Sequence, residues 1–187
     1  MNELIEIEYK ILLTQEIYQK IKQYYQDQIT KDYIQTNYYL THPLLQEKKY
    51  MLRIREKNNT YELTLKRPYQ HHQIETNVPL TKEQKAKILQ HQPIQNEIID
   101  ILIQEGINPL ELQNQYSLTT HRCDIELKEG ILSLDKNTYC QQQDYELEFE
   151  VYHEQEGYQK FLEIIQPFSL HYTQNCPSKI QRVLNSL

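Results

Sequence analysis

The sequence predicts an α+β fold, a closed antiparallel β-barrel of eight strands with a charged interior and helices packed on its outside. The 187 residues, of which 39% are hydrophobic and 25% charged, suffice for one substantial core. Strand-like runs fall into two groups separated by helical runs. Apolar and charged residues alternate along these runs, so one sheet face is apolar and the other charged. We predict one domain over residues 1–187.

The first half of the chain reads as a strand, a helix and a run of hairpins. Residues 2–13, NELIEIEYKILL, alternate like a strand, and residues 14–29 repeat Ile17, Ile21 and Tyr24 at helical spacing behind the N-cap Thr14. The motif EKNNTY supplies an Asn-rich hairpin turn. Four strands are therefore predicted in YIQTNYYLT, KKYMLRIREK, TYELTLKRP and HQIETNVPL.

The second half begins with a helical insert over about residues 81–115. Its two predicted helices are TKEQKAKILQ, capped by Thr81, and IQNEIIDILIQEG, which stops at Gly106. Strands are predicted in YSLTTHRCDIELK, GILSLDKNTYC and DYELEFEVY. The helical patterns EQEGYQKFLEII and CPSKIQRVLNSL follow. Two β-meanders with helices between them favour one closed antiparallel sheet.

Charge and motif content exclude several classes of protein. A net charge of −6 argues against general binding to a nucleic-acid backbone, so any phosphate site must be a local basic cluster. The three cysteines form no CxxC pair, and the three glycines form no GxxxxGK phosphate loop. The N-terminus starts directly with a strand pattern, and no later window approaches about eighteen uninterrupted apolar residues, so neither a signal peptide nor a membrane span is expected. We therefore expect a cytoplasmic protein that binds neither nucleic acid nor membrane.

The polar faces of the predicted strands carry blocks of like charge. Solvated faces usually mix Thr, Ser, Gln and both signs of charge, because like charges about 7 Å apart on one face repel. The main blocks here are Glu6 with Glu8, Arg53 with Arg55, and Glu146 with Glu148 and Glu150. Such blocks are tolerable where they face opposite charge, a bound cation or a bound anion.

The predicted helices indicate which face of the sheet points inward. Amphipathic helices need an apolar surface to pack on, so helices outside a barrel would leave the charged strand faces lining its interior. Carboxylates on some walls and Arg or Lys on others suit a polyanion together with a divalent cation. For any single strand, an ordinary solvated face is the alternative interpretation.

The order of these charges resembles the CYTH superfamily, also called the triphosphate tunnel metalloenzymes, which includes thiamine triphosphatase and class IV adenylate cyclase. EIEYK has the ExExK form of the family's N-terminal signature. Eight later motifs resemble the family's further strands and final lysine in order: TNYYLTHP, RIR, LTLKRP, IETN, THRCDIEL, LSLDKNTY, ELEFEV and PSKI. The likeness spans residues 3–180 and is greatest to small bacterial members. The stretch LTHP, residues 40–43, departs from the family's frequent pattern of an aromatic residue followed by Asp-Thr-Pro.

The resemblance implies a role for each charged group. Mg²⁺ or Mn²⁺ would be held by Glu6, Glu8, Glu148 and Glu150, with Glu146 as the alternative partner of Glu148 and with Glu75 and Asp135 as further candidates. A triphosphate would be bound by Lys10, Arg53, Arg55, Lys66, Arg122 and Lys179. Lys10 would act at the reacting phosphate as a catalytic residue together with Glu8. Arg182 lies outside every motif and is expected to have no part in the site, and Lys82, Lys85 and Lys87 are expected to form a solvated helix face.

The leading hypothesis is a metal-dependent triphosphatase that attacks the terminal phosphoryl group of an inorganic, nucleoside or organic triphosphate with water. A non-catalytic module that senses a nucleotide polyphosphate is the alternative, and it would keep affinity without releasing phosphate. Cyclisation of ATP is a third hypothesis, and it needs a base pocket that the sequence does not reveal. The sequence specifies neither the substrate nor the oligomeric state.

Overall fold

A computed structural model describes residues 3–186 of the chain. The strands of this part are β1 (Glu3–Glu6), β2 (Glu8–Leu13), β3 (Lys31–Thr41), β4 (Met51–Lys57), β5 (Thr60–Tyr69), β6 (His72–Leu80), β7 (Gln113–Leu127), β8 (Gly130–Tyr139) and β9 (Gln142–Val151). The helices are α1 (Gln15–Tyr24), α2 (Pro43–Glu47), α3 (Lys82–Leu89), α4 (Glu97–Gln104), α5 (Glu154–Ile165) and α6 (Lys179–Asn185). Single 3₁₀ turns cover Gln26–Gln28, Pro109–Glu111 and Gln166–Phe168.

The chain forms two compact units. Unit 1 contains Met1–Glu6 and Gln35–Leu118, and unit 2 contains Ile7–Ile34 and Thr119–Leu187. In unit 1 the strand order is β1-β6-β5-β4-β3, and in unit 2 it is β7-β8-β9-β2. β3 and β7 each contribute residues to both units. A single domain over residues 1–187 stays a prediction.

The first predicted strand is interrupted at Ile7. β1 pairs antiparallel with β6, where Glu6 lies opposite Gln73, whereas β2 pairs antiparallel with β9, where Glu8 lies opposite Glu150. Nine strands are therefore present in residues 3–186, where the sequence predicted eight. The short helix α2 was not predicted, and the His42 side chain caps it by accepting a hydrogen bond from the Leu44 backbone N–H at 3.2 Å.

The core of unit 1 joins the apolar strand faces to the helical insert. Leu52 and Ile54 of β4 and Leu63 and Leu65 of β5 alternate with polar residues, and all four are almost completely buried. They belong to one apolar cluster with the buried isoleucines and leucine of α4, which are Ile98, Ile99 and Leu102. The insert therefore packs on the apolar face of the unit 1 sheet, as the alternation predicts.

The core of unit 2 follows the same rule. Leu147 and Phe149 of β9 are buried in one cluster with Ile21 of α1 and Phe161 of α5. The Phe149 and Phe161 rings are stacked with their centroids 6.4 Å apart. In each unit the apolar side chains of the sheet pack against helices, so the alternating polar side chains lie on the other face of that unit's sheet.

No helix among the described residues is both long and apolar enough to cross a membrane.

Gly157 of α5 marks a close approach between this helix and β9. A Cβ at Gly157 would lie 2.4 to 2.7 Å from the side-chain atoms of Val151. We expect Gly157→Ala to lower the free energy of unfolding by about 1–3 kcal/mol, because the core must shift to accept the methyl group. Urea denaturation measures this change. Gln155→Ala, at an exposed position of the same helix, is the control and should leave stability nearly unchanged.

Candidate functional site

Three carboxylates meet on the polar face of unit 2. We call Asp135 of β8 with Glu146 and Glu148 of β9 the carboxylate cluster. Asp135 lies opposite Glu146 in the sheet, and Glu148 is two residues further along the same face. One oxygen from each carboxylate lies within 4.8 Å of the others, and Asp135 and Glu146 are completely buried. Three carboxylates this close, two of them completely buried, need compensating positive charge.

Two basic side chains supply that charge. Lys179, the first residue of α6, places its Nζ 2.9 Å from Asp135 Oδ2, 2.9 Å from Glu146 Oε2 and 2.5 Å from Glu148 Oε1. Arg122 of β7 donates to Asp135 through Nε at 2.7 Å and through its terminal nitrogen at 2.6 Å, and it also contacts Glu148. The Arg122 guanidinium therefore uses the bidentate geometry that arginine forms with carboxylates.

The carboxylate cluster and the basic side chains beside it stabilise each other's charges. Burial alone would favour the neutral form of Glu148, but Lys179, Arg122 and Lys10 outweigh it and hold the pKa of this carboxyl well below its ordinary value. Burial likewise opposes the charge on Lys179, yet the neighbouring carboxylates raise the pKa of its ammonium well above the ordinary value. Glu148 and Lys179 are therefore both ionised at neutral pH.

Glu8 and Lys10 lie on β2, beside the cluster strand β9. Lys10 is opposite Glu148 and Glu8 is opposite Glu150, so all four side chains share one sheet face. The Lys10 ammonium donates a hydrogen bond to the Glu8 carboxylate. Burial disfavours the charge on Lys10, but Glu8, Glu148 and Glu146 raise the pKa of Lys10 to about 12. Lys10 is therefore a permanent cation at physiological pH.

Glu146 and Glu150 differ in their surroundings, although both belong to an ExE pair with Glu148. Glu146 is buried within the carboxylate cluster, whereas Glu150 is exposed and lies opposite Glu8. The sequence could not separate the two pairs, because both alternate correctly along the strand. The structure groups Glu146 with Glu148 and Asp135.

Arg182 of α6 contacts the same group of acids. It is buried, and it donates to Glu146 Oε2 at 2.7 Å and to Asp144 Oδ2 at 2.7 Å. The expectation that Arg182 stands apart from the site residues is therefore wrong. Arg182 follows Lys179 by three residues, and residues at this spacing share a helix face, so the helical period was a signal that could have found it.

A second charged group lies on the polar face of unit 1. Lys66 of β5 is opposite Glu75 of β6, and its Nζ lies 2.9 Å from Glu75 Oε2. Lys66 also donates to Glu6 of β1. Asn77 donates to Glu75 Oε1 at 2.6 Å. Burial opposes the charge on Glu75, but Lys66 and Arg53 outweigh it and lower the pKa of Glu75 to about 2.

Arg53 and Arg55 of β4 lie on this polar face of unit 1. The Arg53 side chain is buried, and its Nε has no hydrogen-bond partner among the described residues. Arg55 Nε donates to Asn37 Oδ1 at 3.3 Å, and the buried Asn37 Nδ2 likewise has no acceptor in the described part of the chain. Buried donors without acceptors cost about 1–3 kcal/mol each, so an anion that accepts from them would bind favourably.

The predicted site residues therefore fall into two groups. Unit 1 contains Glu6, Arg53, Arg55, Lys66 and Glu75, and unit 2 contains Glu8, Lys10, Arg122, Asp135, Glu146, Glu148, Glu150 and Lys179.

Lys85 differs from the solvated helix face that was expected. Its Nζ lies 2.5 Å from Glu56 Oε2 and 4.3 Å from the Tyr38 ring centroid, so this lysine ties α3 to the sheet of unit 1. The expectation is therefore wrong for this residue.

The pKa of Glu75 predicts a pH dependence of stability. Its folded-state pKa of about 2 lies below the ordinary 4.5, so ionised Glu75 stabilises the fold above about pH 4.5, and this contribution disappears as the pH falls toward 2. Glu75→Gln lacks the contribution. We therefore expect the difference in unfolding free energy between the wild-type protein and this variant to shrink as the pH falls through this window. Urea denaturation at several pH values measures it, and a constant difference would contradict the assignment.

Comparison with known proteins relates the chain to one family. The sequence profile described as the CYTH domain matches residues 4–183. The chain is 34% identical over 173 residues to "Putative triphosphatase YjbK" of Bacillus subtilis (strain 168), an alignment that covers 91% of this chain and 90% of that protein.

Solved structures agree with this relationship. The crystal structure of a "putative adenylate cyclase" from Bacillus halodurans has a TM-score of 0.89 and 33% identity, covering 97% of this chain and 98% of that one. The "putative adenylyl cyclase HpAC1" from Hippeastrum is described as having a dominant triphosphatase activity. Its structure has a TM-score of 0.80 and 19% identity, covering 96% of this chain and 95% of that one. The first likeness confirms the fold class predicted from the sequence, and the second concerns the fold alone.

Proposed function

This chain belongs to the CYTH domain family, and from this membership and its two charged groups we propose that it is a triphosphatase that depends on Mg²⁺ or Mn²⁺. The observation that carries the proposal is the carboxylate cluster of Asp135, Glu146 and Glu148, whose oxygens lie within 4.8 Å of one another beside Arg122 and Lys179. Carboxylates for a cation and basic groups for phosphate are the two parts that phosphoryl transfer requires.

The donors fit the proposed cation. Mg²⁺ and Mn²⁺ prefer carboxylate oxygens to nitrogen or sulfur ligands. Asp135, Glu146 and Glu148 would hold the ion, and the other acidic candidates are Glu8 and Glu150 of unit 2 and Glu6 and Glu75 of unit 1. When bound, such an ion would polarise phosphoryl oxygens and lower the pKa of a coordinated water. Lys179 now donates to all three carboxylates of the cluster, so its ammonium already occupies a place suited to positive charge.

The basic residues would bind the triphosphate. We assign this role to Arg53, Arg55 and Lys66 of unit 1 and to Lys10, Arg122 and Lys179 of unit 2. Arginine can grip two phosphate oxygens at once, whereas lysine acts as a point charge. The buried Nε of Arg53 supports the assignment, because a phosphate oxygen would satisfy a donor that has no other partner in the described residues.

Lys10 would stabilise charge rather than transfer a proton. Its pKa of about 12 keeps the ammonium protonated at neutral pH, so Lys10 cannot serve as a general base there. A fixed cation at the reacting phosphate would stabilise the negative charge that develops on its oxygens. Glu8 accepts a hydrogen bond from Lys10 and would hold the ammonium in place.

A product assay tests the proposal. The protein would be incubated with inorganic triphosphate, nucleoside triphosphates and thiamine triphosphate, each with Mg²⁺, with Mn²⁺ and with a chelator. We expect release of one orthophosphate per substrate, and only with a metal ion. Release of pyrophosphate from ATP together with formation of cyclic AMP would indicate cyclisation instead, and binding without any release would indicate a sensing module. Either result would overturn the proposal.

A further inference from the structure

A carboxylate, an imidazole and a thiol lie close together on the helix-facing side of unit 2, and the proposed triphosphatase does not use them. His121 and Cys123 are two residues apart on β7, so they share one face of the strand, and Arg122 between them faces the carboxylate cluster. Asp32 lies on the neighbouring strand β3. The ligand atoms of Asp32, His121 and Cys123 all lie within 4.8 Å of one another.

The Asp32 carboxylate joins the other two side chains. Its Oδ1 lies 2.5 Å from His121 Nε2, and its Oδ2 accepts a hydrogen bond from Cys123 Sγ at 3.4 Å. Lys22 of α1 places its Nζ 3.8 Å from the same Oδ2. One carboxylate, one imidazole and one thiol therefore already converge, and the nearby ammonium shows that the position accepts positive charge.

We propose that Asp32, His121 and Cys123 form a binding site for a transition-metal ion of the zinc class, with Zn²⁺ or Co²⁺ as the ion that it takes. Three protein ligands of the O, N and S types match a four-coordinate site whose fourth position is water. The thiolate and imidazole favour these ions over Mg²⁺ and Mn²⁺, which prefer oxygen ligands. The site thus differs in chemistry from the carboxylate cluster.

Exposure and charge agree with this assignment. The side chains of Asp32 and His121 are 50% and 38% exposed, so an ion can reach them from solvent, while Cys123 is buried beneath them. Binding would replace the thiol proton of Cys123 by the ion, and the proton would leave to solvent. The Asp32 carboxylate and the Cys123 thiolate would then neutralise the two charges of the ion, and Lys22, whose side chain is 30% exposed, can turn into solvent.

A cobalt titration tests the site. In the Cys140→Ser/Cys176→Ser protein, Cys123 is the one remaining cysteine of the chain. Excess Mg²⁺ occupies the oxygen-ligand sites during the titration. We expect Co²⁺ to produce a thiolate-to-cobalt charge-transfer absorption in the near ultraviolet that Zn²⁺ then abolishes by displacement. Introducing Cys123→Ser into this protein should remove the charge-transfer absorption band.

Variants of the exposed ligands keep the test decisive even where a change at the buried Cys123 impairs folding. Asp32→Asn and His121→Gln should each weaken Co²⁺ binding by at least about tenfold, because each removes one ligand of three. Asp27→Asn and His171→Gln, at exposed positions outside the group, are the matched controls and should bind as the parent protein does. Absence of the band, or equal Co²⁺ affinity in the ligand variants and the controls, would overturn the proposal. Because the readout is absorption, failure of the triphosphatase assay would leave this result unaffected.

Discussion

Glu148→Gln is expected to lower the turnover number for triphosphate hydrolysis by at least about a hundredfold. The substitution keeps the size of the side chain but removes the charge that Lys179, Arg122 and Lys10 surround. The carboxylate cluster would then hold a divalent cation with one ligand charge fewer, so the cation would bind less tightly and polarise the phosphate less. Initial rates of phosphate release, measured over a range of Mg²⁺ and Mn²⁺ concentrations, give both the turnover number and the metal requirement.

Glu163→Gln is the matched control for this prediction. Glu163 is an exposed residue of α5 whose carboxylate forms a surface ion pair with Lys160. Its loss should change neither rate nor metal requirement, because exposed pairs contribute little. Circular dichroism and thermal unfolding establish that the Glu148→Gln protein is folded at the assay temperature. A folded Glu148→Gln protein with the wild-type rate and metal dependence would contradict the role of the carboxylate cluster.

Arg53→Lys and Arg55→Lys should each lower kcat/KM for triphosphate hydrolysis by on the order of tenfold or more. Lysine keeps the charge but cannot form the paired hydrogen bonds that a guanidinium donates to phosphate oxygens. The expected loss corresponds to about 1.5–3 kcal/mol, the range of a hydrogen bond to a charged group. Steady-state kinetics with inorganic triphosphate measures it, and equilibrium binding without metal isolates the contribution to affinity.

The control arginine must lie on the other face of the unit 1 sheet. Arg182 cannot serve, because it is buried and donates to Glu146 and Asp144. Arg67 of β5 is suitable. It is the residue after Lys66, so its side chain points to the opposite face of the strand. Its charge acts on Glu105 and Tyr50 instead of Glu75. Arg67→Lys should leave kcat/KM nearly unchanged. Effects of equal size at all three arginines would mean that Arg53 and Arg55 do not bind phosphate.

Alternation along the strands determined most of the fold prediction. Alternation in the predicted strand DYELEFEVY places Leu147 and Phe149 on the face opposite Glu146 and Glu148. In unit 2 the first pair packs against helices, and the second belongs to the carboxylate cluster. Period-two alternation assigns every residue of a strand to a face, which is why this part of the prediction was reliable. The interruption at Ile7 was not predicted, because alternation continues unbroken through EIEYK and carries no information about which partner each half pairs with.

The sequence by itself determined the types of charge on each strand and the sheet face to which they point. Only the tertiary structure decided which of these charges meet. Glu146 and Glu150 are equivalent in alternation, yet only Glu146 lies with Asp135 and Glu148, because strand register selects neighbours across the sheet. Arg182 and Lys179 reach the carboxylate cluster, and Asp32 reaches His121 and Cys123, through contacts between residues more than 30 positions apart in the chain. Such contacts depend on how strands and helices pack, and local periodicity reports only the face of each element.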